Sequence, residues 1–322
     1  MSSREAQGRR RQSARKRRAR VWRARLVALV SLLVVAGIVV VAVLGTTSGS
    51  SSHPAKHGSG ASAKASQTDT KGSASSTQPG TSAVPVLTYH VINVAPASTS
   101  ASPSLYVPAD EFTSQMQALK SDGWHAVTLD QLEAYWTHGT SLAPGKPIVI
   151  SFDGGYASQY TTALPVLKRL GWVGVENLEL DGLSPSDGGL NEQQVRGLVS
   201  AGWELDTEGI GGTDLTALSA DEARSQVAEA RQTLRSRYGV PGNWFSYPLG
   251  HYDPTVTAAV QAAGFVGATT VEPGWASPGE DRFRLPRLQV LGGTSASQLL
   301  SQIDSAKASP PPPTSNTESS ST

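Results

Sequence analysis

Residues Val149–Tyr156 read VISFDGGY: an apolar run with one hydroxyl, then a single carboxylate, then two glycines in succession. A short apolar run closed by a turn signal is the pattern of a strand buried on both faces. An Asp followed by glycines marks the place where such a strand gives way to a loop. Outward from this stretch the same pattern repeats, with strand candidates at 84–92, 147–153, 173–180, 203–208, 244–248, 266–271 and 285–290. Helical periodicity fills the intervals, at 110–121, 129–136, 160–170, 192–200, 220–238 and 254–263. The longest of these opens with Ser219-Ala-Asp-Glu222, a capping box in which Ser219 and Glu222 satisfy each other's free backbone N–H groups. Alternating strands and helices with nearly continuous apolar strands predict an α/β fold with a parallel sheet under helices. About seven such units favour a closed or nearly closed (β/α) barrel over an open sheet.

The flanks of this core have another character. Residues 1–25 hold 11 of the 27 Lys and Arg and run into Leu26–Leu44, nineteen residues without a charge. At about 1.5 Å rise per residue that length just spans a hydrocarbon layer of roughly 30 Å. The expectation is a basic cytoplasmic segment (1–25) and a single transmembrane helix (26–44), with a cleaved signal peptide as the rival reading. Basic residues stay on the cytoplasmic side, which places the folded part outside the cytoplasm, on a single-pass anchor in the cell membrane. Residues 45–83 are Ser, Thr, Gly and Ala with almost no large apolar side chain, the composition of a disordered linker, and 306–322 read as a second disordered tail. The folded domain is expected at 84–305. Beyond residue 25 the chain carries 16 basic against 25 acidic residues, a net of −9, which argues against nucleic acid as a partner. There is no cysteine, so disulfides, thiolate nucleophiles and Cys-ligated zinc are excluded together.

In a βα barrel, chemistry collects where strands end and loops begin. The polar residues at those boundaries are His90 after VLTY, Asp153 after VISF, Glu208 after ELDT, and Tyr247 with Pro248 in WFSYPLG. Each has a plainer reading. Asp153 before two glycines is a common turn former, and His90 could be a core histidine with both nitrogens satisfied. Glu204, Asp206 and Glu208 alternate along one strand and share a face. They read as acids wetted at a strand end more readily than as an oxygen site for Ca²⁺ or Mg²⁺ joined by Asp153. Trp203, Trp244 and Trp275 could floor a sugar groove, though buried tryptophan is the commoner role.

The order of these segments resembles the polysaccharide deacetylases that share the NodB-homology domain, in their extracellular branch. The resemblance runs from Val84 to Ile303 and rests on LTYHVI (87–92), KPIVISFDGGY (146–156), LVSAGWELDTEG (198–209), FSYPLGHYD (245–253) and RFRLPRLQV (282–290), among others in the same order. It implies a distorted (β/α) barrel and hydrolysis of N-acetyl groups on amino-sugar glycans. In that chemistry a divalent metal of the zinc type polarises the acetyl group and a water, a carboxylate takes the water's proton and an acid protonates the amine. The family's Thr-Phe-Asp-Asp-Gly, whose first Asp is the base and second a metal ligand, stands here as Ser151-Phe-Asp-Gly-Gly155. Asp153 therefore keeps the base position, and Gly154 has no donor to offer. The family's two metal-binding histidines fall on Glu208 and Gly212, so Glu208 is the one candidate ligand left. His90 matches the histidine of the general acid, with an ordinary pKa near 6.5 suited to neutral pH. Tyr247 and Pro248 fall in the substrate-binding motif. The family's Arg that holds the catalytic carboxylate is replaced by Ser246, so Asp153 is expected to lose its reason to stay ionised when partly buried.

The function implied is that of a membrane-anchored polysaccharide deacetylase-like protein acting on cell-surface or cell-wall glycan, weak or inactive because the metal triad is incomplete. A non-catalytic glycan-binding domain and a glycosidase using paired carboxylates such as Asp153 and Glu208 are the alternatives.

Overall fold

The computed structural model describes residues 78–97, 102–142, 144–183 and 188–307. The basic segment and apolar stretch at 1–44, most of the linker and the C-terminal tail lie outside the described residues. Among the described residues no helix is long and apolar enough to cross a membrane.

Nine strands form one curled sheet: β1 (Val84–Tyr89), β2 (Trp124–Val127), β3 (Lys146–Gly154), β4 (Val175–Leu178), β5 (Glu204–Thr207), β6 (Trp244–Ser246), β7 (Gly267–Thr269), β8 (Trp275–Ala276) and β9 (Leu288–Gln289). The order is β7-β6-β5-β4-β3-β1-β8, with β2 added on β3 and β9 on β1. All pairings are parallel except β1 with β8. A parallel bridge from Thr269 to Leu285 ties β7 to the segment that leads into β9. The sheet thereby curls into an incompletely closed barrel, as the βα pattern predicts.

Helices α1 (Ala109–Ser121), α2 (Leu129–His138), α3 (Leu164–Arg169), α4 (Glu192–Ser200), α5 (Ala220–Thr233), α6 (Pro254–Ala262) and α7 (Ala296–Lys307) accompany the strands. The predicted capping box opens α5, where Ser219 Oγ accepts from the Glu222 amide and Glu222 Oε2 accepts from the Ser219 amide. Three elements lie outside the predicted segments, among them the two-residue β8. The strand β2 is only four residues long, too short for a period to register. Helix α7 falls in a part of the domain with no predicted element, although Ser295 and Gln298 cap it reciprocally and Leu299 and Ile303 lie one turn apart on its buried side.

Both faces of β3 are buried, which explains why VISF reads as a continuous apolar run. Ile148, Ile150 and Phe152 point outward and pack with Phe112, Met116 and Leu119 of α1, Leu167 of α3 and Ile303 of α7. Val149 points inward and shares the barrel interior with Val84, Val86, Val175 and Trp244. Phe152 anchors the outer layer, stacked on Trp203 at 5.0 Å and on Tyr89 at 5.8 Å between ring centroids. Trp203 and Trp244 are therefore core residues. Substituting Phe152→Ala is expected to cost about 3–5 kcal/mol of unfolding free energy, read from urea melts.

Candidate active site

The inward positions of β3 change character along the strand, from Val149 through Ser151 to Asp153, so the apolar interior turns polar toward the C-terminal end. Asp153 lies there, 4% exposed, and is fully engaged. Arg287 grips it with both terminal nitrogens, Nη1 donating to Oδ1 and Nη2 to Oδ2, each at 2.8 Å. Asn177, its register partner on β4, donates Nδ2 to Oδ1 at 2.8 Å. Arg287 itself is 1% exposed. Its remaining donors go to Thr270 O at 2.8 Å, Thr88 Oγ1 at 3.2 Å, Ser151 Oγ at 3.4 Å and Ser246 Oγ at 3.0 Å.

This geometry corrects the expectation for Asp153. Ser246 does leave the family's arginine position vacant, but Arg287 brings a guanidinium to the same carboxylate from the opposite edge of the sheet. Burial works against the charge on Asp153, and the Arg287 cation with its hydrogen bonds outweighs it, so the carboxyl sits below the ordinary carboxylate range. Arg287 belongs to RFRLPRLQV, where no motif marks it as functional. The available signal was an arginine inside an apolar strand-like run, since a buried guanidinium requires a partner.

His90, Glu208 and Glu176 surround this pair, and their electrostatics run the other way. Burial pushes the His90 imidazole below its ordinary value, Asp153 opposes this, and Arg287 adds to it. The ring is thus neutral at neutral pH, and a proton-donating His90 requires more acid conditions than the sequence alone suggests. Burial, then the charges of Asp153 and Glu179, hold the Glu208 carboxyl well above its ordinary range, against a smaller pull from Arg287. Glu176 is fully buried and is raised for the same reasons, with Asp153 and Glu208 as the like charges.

The expectation that the β5 acids are wetted is likewise corrected. Asp206 is buried, its Oδ1 accepts from the Trp244 amide at 2.9 Å, and the Glu204 carboxyl is its neighbour along the same face. Glu204 in turn accepts from the Asp130 amide at 2.9 Å. Burial first, then the neighbouring carboxyl groups, raise both, Glu204 to about 7. Both carboxyls are thereby favoured in their neutral forms, which relieves the like-charge repulsion that strand alternation would otherwise impose.

Tyr247 and Pro248, expected at the substrate, are buried in the scaffold. Strand alternation points Ser246 inward and Tyr247 outward, where its ring stacks on Tyr252 at 4.8 Å and its hydroxyl donates to Phe283 O at 2.9 Å. Pro248 opens the short turn Pro248–Gly250 and is buried with it.

A divalent metal of the zinc type needs about three protein ligands, and the residues at the family's ligand positions do not fit one. Gly154 adopts φ 95°, and a β-carbon there would stand 2.8 Å from Cε2 of Tyr156. At Gly212 a β-carbon would meet Glu179 Oε2 at 3.3 Å, so a carboxylate borders the space of the second ligand. Glu208 alone keeps a donor atom among the three positions, and a single carboxylate does not make a site. Among the described residues no group of three His, Asp or Glu side chains is arranged to hold a metal ion.

Residues 141–268, the stretch from just before β3 into β7, match the family model for polysaccharide deacetylases. Over that stretch the chain is similar to the polysaccharide deacetylases, the family whose motifs its sequence resembles. A Bacillus subtilis protein described as a polysaccharide deacetylase, YxkH, is 27% identical over 224 residues, covering 70% of this chain and 77% of that one. Among solved structures, the Streptococcus pyogenes deacetylase PplD in complex with acetate is 23% identical with a TM-score of 0.63, covering 70% of this chain and 99% of that one. A polysaccharide deacetylase from Bacillus cereus has a TM-score of 0.60 at 23% identity, covering 69% of each chain. At these identities the two structures establish the fold of the deacetylase domain, and the curled sheet with its C-terminal polar end is that fold.

Two stability predictions follow from the electrostatics. Arg287→Met leaves Asp153 buried without a cation and is expected to destabilise the fold by about 3–5 kcal/mol at pH 7. Because the folded-state pKa of Asp153 is depressed, the pair's contribution is present above the unfolded carboxylate range and lost as pH falls through the folded value. The deficit of the variant should therefore shrink on acidification, and chemical denaturation at pH 7 and pH 3 checks this. Glu204 behaves with the opposite sign, since a folded pKa raised to about 7 favours folding only while the acid is protonated. Glu204→Gln should melt at a higher temperature than the parent at pH 8, with the advantage fading as pH is lowered from 7 toward 4.5.

Proposed function

We propose that this chain is a membrane-anchored, extracellular polysaccharide deacetylase-like protein that recognises N-acetylated amino-sugar glycan of the cell surface or wall, with amide hydrolysis strongly attenuated. The observation that carries the reading is the divided state of the site. The base position is filled by an ionised Asp153 fixed by Arg287, while two of the three ligand positions of the family are glycines. Without a Lewis acid on the acetyl oxygen, several kcal/mol of transition-state stabilisation are missing. The groups that remain handle protons. Asp153 is an acceptor, though a guanidinium on both oxygens makes it a weak base, and Glu208 is a neutral carboxylic acid able to donate. The basic block at 1–25 and the uncharged stretch Leu26–Leu44 support the anchor and the outward orientation of the domain.

The separation of the Asp153 and Glu208 pKa values in opposite directions favours one second reading, a slow hydrolysis that needs no metal, with the two carboxyls as base and acid. Acetate release from an N-acetylglucosamine oligomer, with and without added Zn²⁺ or Co²⁺, tests both, alongside retention of the protein on purified cell-wall glycan. The expected result is retention with little or no release and no stimulation by metal. Release without metal that is lost in both Asp153→Asn and Glu208→Gln establishes the second reading, and metal-stimulated release abolished by Asp153→Asn overturns the attenuated site.

A further inference from the structure

The end of the barrel opposite Asp153 carries a groove that the site described above does not use. Val84, Trp124 and Lys146 open β1, β2 and β3. Around these strand starts lies a groove of about 780 Å³ whose walls include Trp124, Tyr135, Leu142, Lys146, Trp275 and Lys307. Its volume falls in the range of about 300–1,000 Å³ usual for ligand sites. In a βα barrel this end of the strands serves stability, and chemistry collects at the other. Trp203 and Trp244 belong to the core, whereas Trp275 is half-buried and faces this groove with Tyr135.

The polar tips of the three aromatic side chains are already committed. Trp124 Nε1 donates to Asp122 Oδ2 at 3.0 Å, Trp275 Nε1 to Ile303 O at 2.8 Å, and the Tyr135 hydroxyl to Ser82 Oγ at 3.1 Å. What they leave to a ligand is ring surface. The two indoles meet edge to face at 5.9 Å, and an ammonium group lies over each, Lys146 at 5.3 Å from the Trp124 ring and Lys307 at 5.0 Å from the Trp275 ring. Lys146 also pairs with Asp122 at 2.8 Å, and Asp304 adds a carboxyl to the wall. Aromatic surface flanked by ammonium donors suits a chain that presents apolar rings and carbonyl acceptors and lacks N–H donors. A run of prolines is such a chain. Its polyproline II conformation is set before binding, so docking on an aromatic-lined groove costs little entropy.

The chain supplies such a run at this place. Helix α7 ends at Lys307 in the groove wall, and the sequence continues ASPPPPTS (308–315), outside the described residues. At about 3.1 Å per residue, Pro310 falls within about 9 Å of Lys307 and Pro313 within about 19 Å, so the prolines are in reach of the groove. Residues 308–322 include Glu318 and no basic side chain, a charge that complements Lys146 and Lys307. We propose that the prolines at 310–313 dock as a polyproline II segment in the groove formed by Trp124, Tyr135 and Trp275. Ser82 and Ala83 line the same groove where the chain enters the domain. Docking therefore clasps the exit of the chain beside its entrance and secures α7, whose Leu299 and Ile303 cover the outer face of β3.

The absence of cysteine allows nitroxide labels to be placed at introduced cysteines alone. The test is the distance distribution between labels at Thr140→Cys and Ser315→Cys, measured on the full chain by pulsed electron paramagnetic resonance. Thr140 is exposed on the groove's rim, between Gly139 and Ser141 of its wall. A narrow distribution is expected, together with its loss when the four prolines at 310–313 are replaced by serine. A broad distribution before that replacement overturns the proposal. So does a narrow one that survives it, because the tail would then be held by something other than its prolines. With Thr68→Cys in place of Ser315→Cys the distribution should be broad. A narrow one there gives the groove to the linker before β1 and overturns docking of the tail.

Discussion

The bidentate pair between Arg287 and Asp153 is the interaction on which the rest of the structure depends. Two charges that are both buried attract strongly only if their other hydrogen-bonding positions are filled, because each has given up its hydration. Here they are filled from all around the barrel. Thr88 comes from β1, Ser151 from β3, Asn177 from β4, Ser246 from β6 and the Thr270 carbonyl from the end of β7. The guanidinium fork is rigid and planar, so it orients these strands as well as neutralising the acid. A barrel whose sheet does not close by strand pairing alone is drawn together at its polar end by one side chain.

The same pair decides the electrostatics of its surroundings. With the Arg287 guanidinium committed to Asp153, burial drives the neighbouring acids toward neutrality. Burial, with the like charges beside them, raises Glu204, Asp206 and Glu208 above their ordinary values. A bound divalent metal would reverse that order, since it would keep neighbouring carboxylates ionised. The glycines at 154 and 212 offer no side-chain donor at two of the family's ligand positions.

The sequence alone determined the alternation of strands and helices, the burial of β3 on both faces and the location of the polar cleft at the strand ends. These follow from local rules: hydrophobic period, capping boxes such as Ser219–Glu222, and the glycines that end elements. It also determined which donor atoms the family's ligand positions lack, because that is read from residue identity. The short β2 and β8 and the helix α7 escaped, the strands for want of length and the helix because only two of its side chains, Leu299 and Ile303, are buried.

Only the tertiary structure decided the state of the site. Arg287 lies 134 residues from Asp153 along the chain, and no local pattern indicates that the two meet. The direction of Tyr247, outward into the core, and the protonation of Glu204 and Glu208 depend on which groups surround them in space. The left-handed backbone of Leu249 likewise cannot be read from its identity, since leucine is among the residues that seldom adopt it. The physical reason is the same in each case: identity and period are properties of the chain, whereas desolvation, Coulomb interaction and steric fit depend on distances that only the folded barrel sets.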